Sequence, residues 1–148
     1  MINQALFSNK KDYRYMLSRF WDESRPILGI IGLQPSYGDA KVDDDDIIKQ
    51  VEIAKSLGYG GLYSMNLFAI LSTENNKLHV GENNDKYLKL YLSKCQRIIC
   101  AWGDKGRVDN RGDDVRRIVD NLYYIELTTS GEPIDFNHIK LGIEPIKF

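Results

Sequence analysis

Four hydrophobic runs, at positions 27–33, 62–65, 98–101 and 123–127, punctuate the chain and read as β-strands. The first is near-continuous in apolar residues, as a strand covered on both faces requires. Upstream, Tyr13, Tyr15, Leu17 and Trp21 keep a two-residue spacing with Arg14 on the other parity, which favours a strand over a short helix. The turn-rich connector 22–26 joins that segment to the first run, and the two are expected to lie antiparallel.

Between the runs the period changes. Ile47, Val51 and Ala54 fall at i, i+4 and i+7 after an acidic start at Asp43, and Gly58 stands where a helix would stop. Leu88, Tyr91, Leu92 and Cys95 repeat the pattern, as do Val115, Ile118, Val119 and Leu122, each ahead of another strand. Strand and helix thus alternate, and right-handed crossovers make the strands parallel. The pattern predicts an α/β fold, a three-layer sandwich whose mostly parallel central sheet has four to five strands and one N-terminal antiparallel strand. Segment 73–84 is polar and aperiodic, a long loop near the same rim, and the tail after Gly131 has no clear period.

Length and charge narrow the picture. With 148 residues and 43% hydrophobic content, a single domain over 1–148 is expected. Twenty basic residues stand against 21 acidic, so no global field draws nucleic acid in, and duplex DNA would need a local patch. Cys95 and Cys100 match neither a disulfide framework nor a zinc set, and reduced, buried thiols are expected. No apolar stretch approaches the ~18 residues of a membrane span, which points to a soluble cytoplasmic protein with no membrane partner. His79 and His138 have no Cys, Asp or His at ligand spacing, so neither a zinc site nor a Ser-His-Asp triad is expected, nor any cofactor. Oligomeric state stays open.

A polar motif follows each of the four runs. In an open α/β sheet, ligands bind in the crevice outside the carboxyl ends of the strands, so these motifs mark the candidate site. Gln34, Pro35, Ser36, Tyr37 and Asp39 stop the first strand abruptly and offer an amide, a hydroxyl, a phenol and a carboxylate, the donors and acceptors a base or an activated water needs. A plain turn would use Ser36 and Asp39 only to satisfy backbone groups. Asn66 ends the second strand, where its amide could read a Watson–Crick edge or hold a loop carbonyl. Trp102 and Gly103 follow the third, where the indole is either a stacking face or core. Lys105 and Arg107 lie close enough for a phosphate contact, against a default of solvated charge. Thr129 and Ser130 follow the fourth. Asp43, Asp44, Asp45 and Asp46 are consecutive and point ~100° apart on a helix, so capping and the helix dipole explain them better than a metal does.

Taken together, several motifs resemble the bacterial and phage family catalogued as domain of unknown function 1643. They are Arg14-Tyr15-x-Leu17-x-Arg19-x-Trp21, Gly32-Leu33-Gln34-Pro35-Ser36, Asp43-Asp44, Gly58-Tyr59-Gly60-Gly61, Asn66-Leu67-Phe68-Ala69, Asn84-Asp85, Ala101-Trp102-Gly103 and Gly131-x-Pro133. That family in turn resembles the uracil-DNA glycosylase superfamily, which carries Gly-x-(Asp/Asn)-Pro, an Asn, a Trp-Gly and a His-Pro loop after successive strands. The resemblance implies a uracil-DNA-glycosylase-like fold, with Gln34 in the water-positioning place, Asn66 in the base-reading place and Phe68 among the ligand-binding residues. Gln34 replaces the family's usual Asn, and one added methylene shifts the amide by more than about an ångström, enough to misplace an attacking water. Asp135 falls where the His-Pro loop belongs and would oppose a departing base anion.

These departures favour a binding module for a nucleobase or nucleotide. An N-glycosidic hydrolase using Gln34 and Asn66 is the alternative. A third reading is a phage or bacterial interaction module with a vestigial pocket, working through the loop 73–84.

Overall fold

The computed structural model describes residues 1–71 and 77–148, so the candidate loop 73–84 lies partly outside the described residues. The described residues form one seven-stranded mixed sheet with three α-helices. Strands β1 (Ile2–Phe7), β2 (Arg14–Phe20) and β3 (Ile27–Gly32) come first, then α1 (Asp45–Ser56) and β4 (Gly61–Asn66). Next come α2 (Asn84–Leu92), β5 (Arg97–Ala101), α3 (Arg111–Ile118), β6 (Leu122–Tyr124) and β7 (Ile146–Lys147). Spatial order is β1-β2-β4-β3-β5-β6-β7. β4, β3, β5 and β6 are mutually parallel, while β1, β2 and β7 add antiparallel wings.

Two predicted placements change. β2 runs opposite to β3 as expected, but it hydrogen-bonds β4 instead, because β3 is already parallel to β4 on one side and to β5 on the other. β1 and β7 extend a sheet predicted at four to five strands. β1 is an edge strand whose first three residues are exposed, so it carries no inside–outside alternation to read, and β7 is only two residues long. The last two helices also end sooner than the apolar spacing implies. α2 stops at Leu92, and Leu122 opens β6.

Alternation along the central strands builds two cores. Leu28 and Ile30 of β3 join Ile99 and Ala101 of β5 under Ile53 and Ala54 of α1 on one face. Ile31, Ile98 and Cys100 pack against Leu88 and Leu92 of α2 and Val115 of α3 on the other. α1 begins at Asp44, whose carboxylate accepts the Ile47 N–H at 3.0 Å, and ends before Gly58, whose φ is +87°. Both cysteines are free and buried, and burial pushes the Cys95 thiol up to about 12 and raises that of Cys100 as well. No helix among the described residues is long and apolar enough to cross a membrane.

Candidate functional site

β3 is the first parallel strand, and the chain leaves it to build β4 on one side and β5 on the other. Its carboxyl end is therefore a topological switch point, where no crossover covers the crevice. A cavity of about 400 Å³ opens there on the α1 face of the sheet. Ile30, Gly32 and Leu33 from β3 and its loop, Asn66 from β4, and Ala101 and Gly103 from β5 and its loop form part of its wall. Asp46 and Gln50 of α1, Arg14 of β2 and the tail segment Asp135, Phe136 and Asn137 complete it.

Of the residues singled out in the sequence, Gln34, Ser36, Asn66, Trp102, Gly103 and Lys105 reach this cavity. The others do not. Pro35 is buried outside the cavity lining, and Tyr37 projects into solvent at 80% exposure. The Asp39 carboxylate accepts the Lys41 and Val42 N–H groups, both at 2.7 Å, and so closes its own turn. Phe68 is core, and Thr129 is exposed in a turn. Ser130 lines a separate groove with Arg107 and Arg116. The Trp102 indole sits in the α2/α3 core against Phe148, with ring centroids 6.2 Å apart, so it offers no stacking face. Parity explains this, since Trp102 continues the Ile98 and Cys100 side of β5 while the cavity lies on the Ala101 side.

Asn66 is held from behind. Its carbonyl accepts Asn84 Nδ2 at 3.0 Å, and the next carbonyl, of Leu67, accepts Asn84 Nδ2 at 3.1 Å and Arg111 Nε at 2.8 Å. Arg111 is anchored in turn by Asp85 at 2.6 Å. In front, a Cβ on Gly32 would stand 3.0 Å from Asn66 Oδ1, so glycine leaves the amide its space. Gly103 is the other required glycine, with φ at +69° and Asp135 Cβ 3.0 Å from where its own Cβ would be.

The loop from Ser36 to Asp44 hangs on two arginines of β2. Arg14 Nη1 donates to the carbonyls of Gly38 at 2.9 Å and Ser36 at 3.3 Å. Arg19 donates to the Asp43 carboxylate at 2.8 Å, to Ser18 O at 2.8 Å, to Val42 O at 3.3 Å and to Asp39 O. Burial pulls the Arg14 guanidinium down to about 10, against the pull of Asp44, so it remains a cation at neutral pH.

The four consecutive aspartates go separate ways. Asp43 pairs with Arg19, Asp44 caps α1, Asp45 is exposed, and Asp46 faces the cavity. Burial, reinforced by the neighbouring Asp44 carboxylate, raises the Asp46 carboxyl above its ordinary value. His138 does have an acidic neighbour at short spacing, contrary to the expectation from sequence: its Nδ1 lies against Oδ1 of Asp135, three residues earlier, and Asp135 is the one of the pair that lines the cavity. Among the described residues no group of three or more His, Cys, Asp or Glu is arranged to hold a metal ion.

Several polar atoms in this wall are buried without a protein partner, Arg14 Nε, Gln50 Oε1 and Asn66 Nδ2, whereas the Ser36 hydroxyl is turned to the Asp44 carboxylate. Gln34 is partly spent, its Nε2 donating to Ile70 O at 3.3 Å. Arg14, Asp46, Gln50 and Phe136 were not among the candidate site residues read from the sequence. Gln50 could have been found, because it sits three residues after Ile47 on the apolar stripe of α1, where a polar residue asks for a reason.

No curated protein and no solved structure matches this chain. One family does, described as "Protein of unknown function (DUF1643)", and its match over residues 14–134 takes in every cavity residue except the last three. The chain belongs to that family.

Proposed function

We propose that this protein binds a nucleobase or nucleotide in the cavity at the carboxyl ends of β3, β4 and β5. The observation that carries the reading is the convergence of unpartnered buried donors and acceptors, Arg14 Nε, Gln50 Oε1 and Asn66 Nδ2, on one cavity of about 400 Å³. A buried polar group without a partner costs about 1–3 kcal/mol, and a ligand that supplies the partner recovers it. Phe136 adds an apolar ring to the wall, and the cavity is large enough for a base. Further support is the resemblance to uracil-DNA glycosylases, whose motifs also follow successive parallel strands.

Thermal-shift and calorimetric titration with nucleobases, nucleosides and nucleotides test this. Saturable stabilisation that Asn66→Ala weakens at least tenfold is the expected result. A flat response across the set at millimolar concentration refutes it.

Hydrolysis of an N-glycosidic bond is the second reading, favoured by one observation. Asp46, an ionisable carboxyl with a raised pKa, shares the cavity with Asn66 and could orient or deprotonate a water where Gln34 is tied back. Release of free base from nucleosides or lesion-bearing oligonucleotides, abolished in Asp46→Asn, would establish it.

A further inference from the structure

Resting on that reading, we infer that the cavity selects a base that turns two adjacent N–H donors towards Asp46 and an acceptor towards Arg14, the pattern of guanine. The argument uses two wall groups whose hydrogen-bonding sense is fixed by chemistry and which no other side chain among the described residues engages. A guanidinium only donates, and a carboxylate only accepts. Arg14 is 2% exposed and spends Nη1 on loop carbonyls, which leaves Nε without a partner. Asp46 receives no hydrogen bond from any described residue and forms no ion pair with Arg14, although the two interact electrostatically. A ligand seated between them would give the buried donor an acceptor and the half-buried carboxylate a donor.

The neighbours extend the same polarity. Gln50 lies one helical turn after Asp46 and contributes an unpartnered carbonyl oxygen, so the α1 wall is a row of acceptors. Asn66 Nδ2, unpartnered and 95% buried, adds a donor from β4. A guanine matches this division. Its N1–H and 2-amino group form parallel bonds to one carboxylate, and its O6 and N7 accept. Uracil offers a single N–H flanked by acceptors, and neutral cytosine turns a ring acceptor towards any carboxylate that takes its amino group. Charge also argues against a phosphate-led ligand, because Asp46, Asp104 and Asp135 outnumber Arg14 and Lys105 in the lining.

The experiment is isothermal titration of wild type, Asp46→Asn and Asp45→Asn with guanosine, inosine, cytidine and uridine. Inosine is guanosine without the 2-amino group. Losing one charge-assisted bond should weaken it about tenfold or more in wild type and in Asp45→Asn, whose altered side chain is exposed and outside the cavity. Asp46→Asn should erase the gap while retaining inosine binding, with thermal unfolding confirming that the variant is folded. Equal binding of guanosine and inosine by wild type, a preference for cytidine or uridine, or a gap that survives in Asp46→Asn each overturns this inference and leaves nucleobase binding standing. No binding of any nucleoside overturns both.

Discussion

Arg19→Met replaces a guanidinium by an apolar chain of similar length at the point where β2 grips the loop leading into α1. The side chain is fully buried, and its partners are the Asp43 carboxylate and the carbonyls of Ser18, Asp39 and Val42. Asp43 is 44% exposed and regains water when the arginine goes, so it contributes little to the cost. Asp39 and Val42 are also within reach of solvent, whereas Ser18 is sealed in the sheet and its carbonyl loses this donor outright. At about 1–3 kcal/mol for each acceptor stranded, discounted for the two that rehydrate, the loss is about 3 kcal/mol. For a chain of this size that lowers Tm by about 6–12 °C. Urea unfolding followed by tryptophan fluorescence, with calorimetry for Tm, measures it. Arg19→Lys should recover less than half, because one ammonium cannot span four acceptors lying in different directions. A loss below about 1 kcal/mol in Arg19→Met, or full recovery in Arg19→Lys, would refute the claim that this arginine holds the loop.

Gly32→Ala presses a methyl group on the Asn66 amide from 3.0 Å and should weaken nucleoside binding about fivefold, the worth of one misaligned hydrogen bond. Its stability cost should stay near 1 kcal/mol, so titration and thermal unfolding separate the two effects. Asp44→Ala removes the cap of α1 and should cost about 1 kcal/mol at neutral pH. Burial opposes ionisation of Asp44, but the Ile47 N–H, the Ser36 hydroxyl, the Gly38 N–H and the Arg14 charge together hold its carboxyl below the ordinary value. The stabilisation it gives is therefore complete above the unfolded pKa of about 3.9 and fades as pH falls through the native value. Unfolding midpoints of wild type and variant should converge in acid. Cys95 and Cys100, buried and with raised thiol pKa values, should resist iodoacetamide at neutral pH in the native protein and react only on unfolding, as mass spectrometry would read.

The parallel strands and the three helices were legible because their periods are dictated by burial on two faces. Being covered by helices on both faces of the sheet forces residues 27–32 to be apolar, and lying on one face forces Ile47, Ile53 and Ala54 of α1 into a stripe. The loops at the strand ends were legible for the same reason, since they begin where such runs stop. What escaped was everything set by long-range pairing. Arg14 and Arg19 look like solvated charges until the loop from Ser36 to Asp44 folds back over β2 and buries them. Asp46 looks like one more acidic residue in a helix start, because nothing local distinguishes it from Asp45. Phe136 and Asn137 belong to an aperiodic tail whose return to the cavity is decided by Gly103 accepting close contact with Asp135. Trp102 was ambiguous by type and is resolved by parity alone.

The cavity wall draws on positions from Arg14 to Asn137, contributed by β2, β3, α1, β4, β5 and the tail. A fragment lacking either β2 or the tail segment 135–137 loses part of the wall and should lose recognition with it. Occupancy then reports on the integrity of nearly the whole polypeptide, and a bound small molecule should slow proteolysis at sites distant from where it rests.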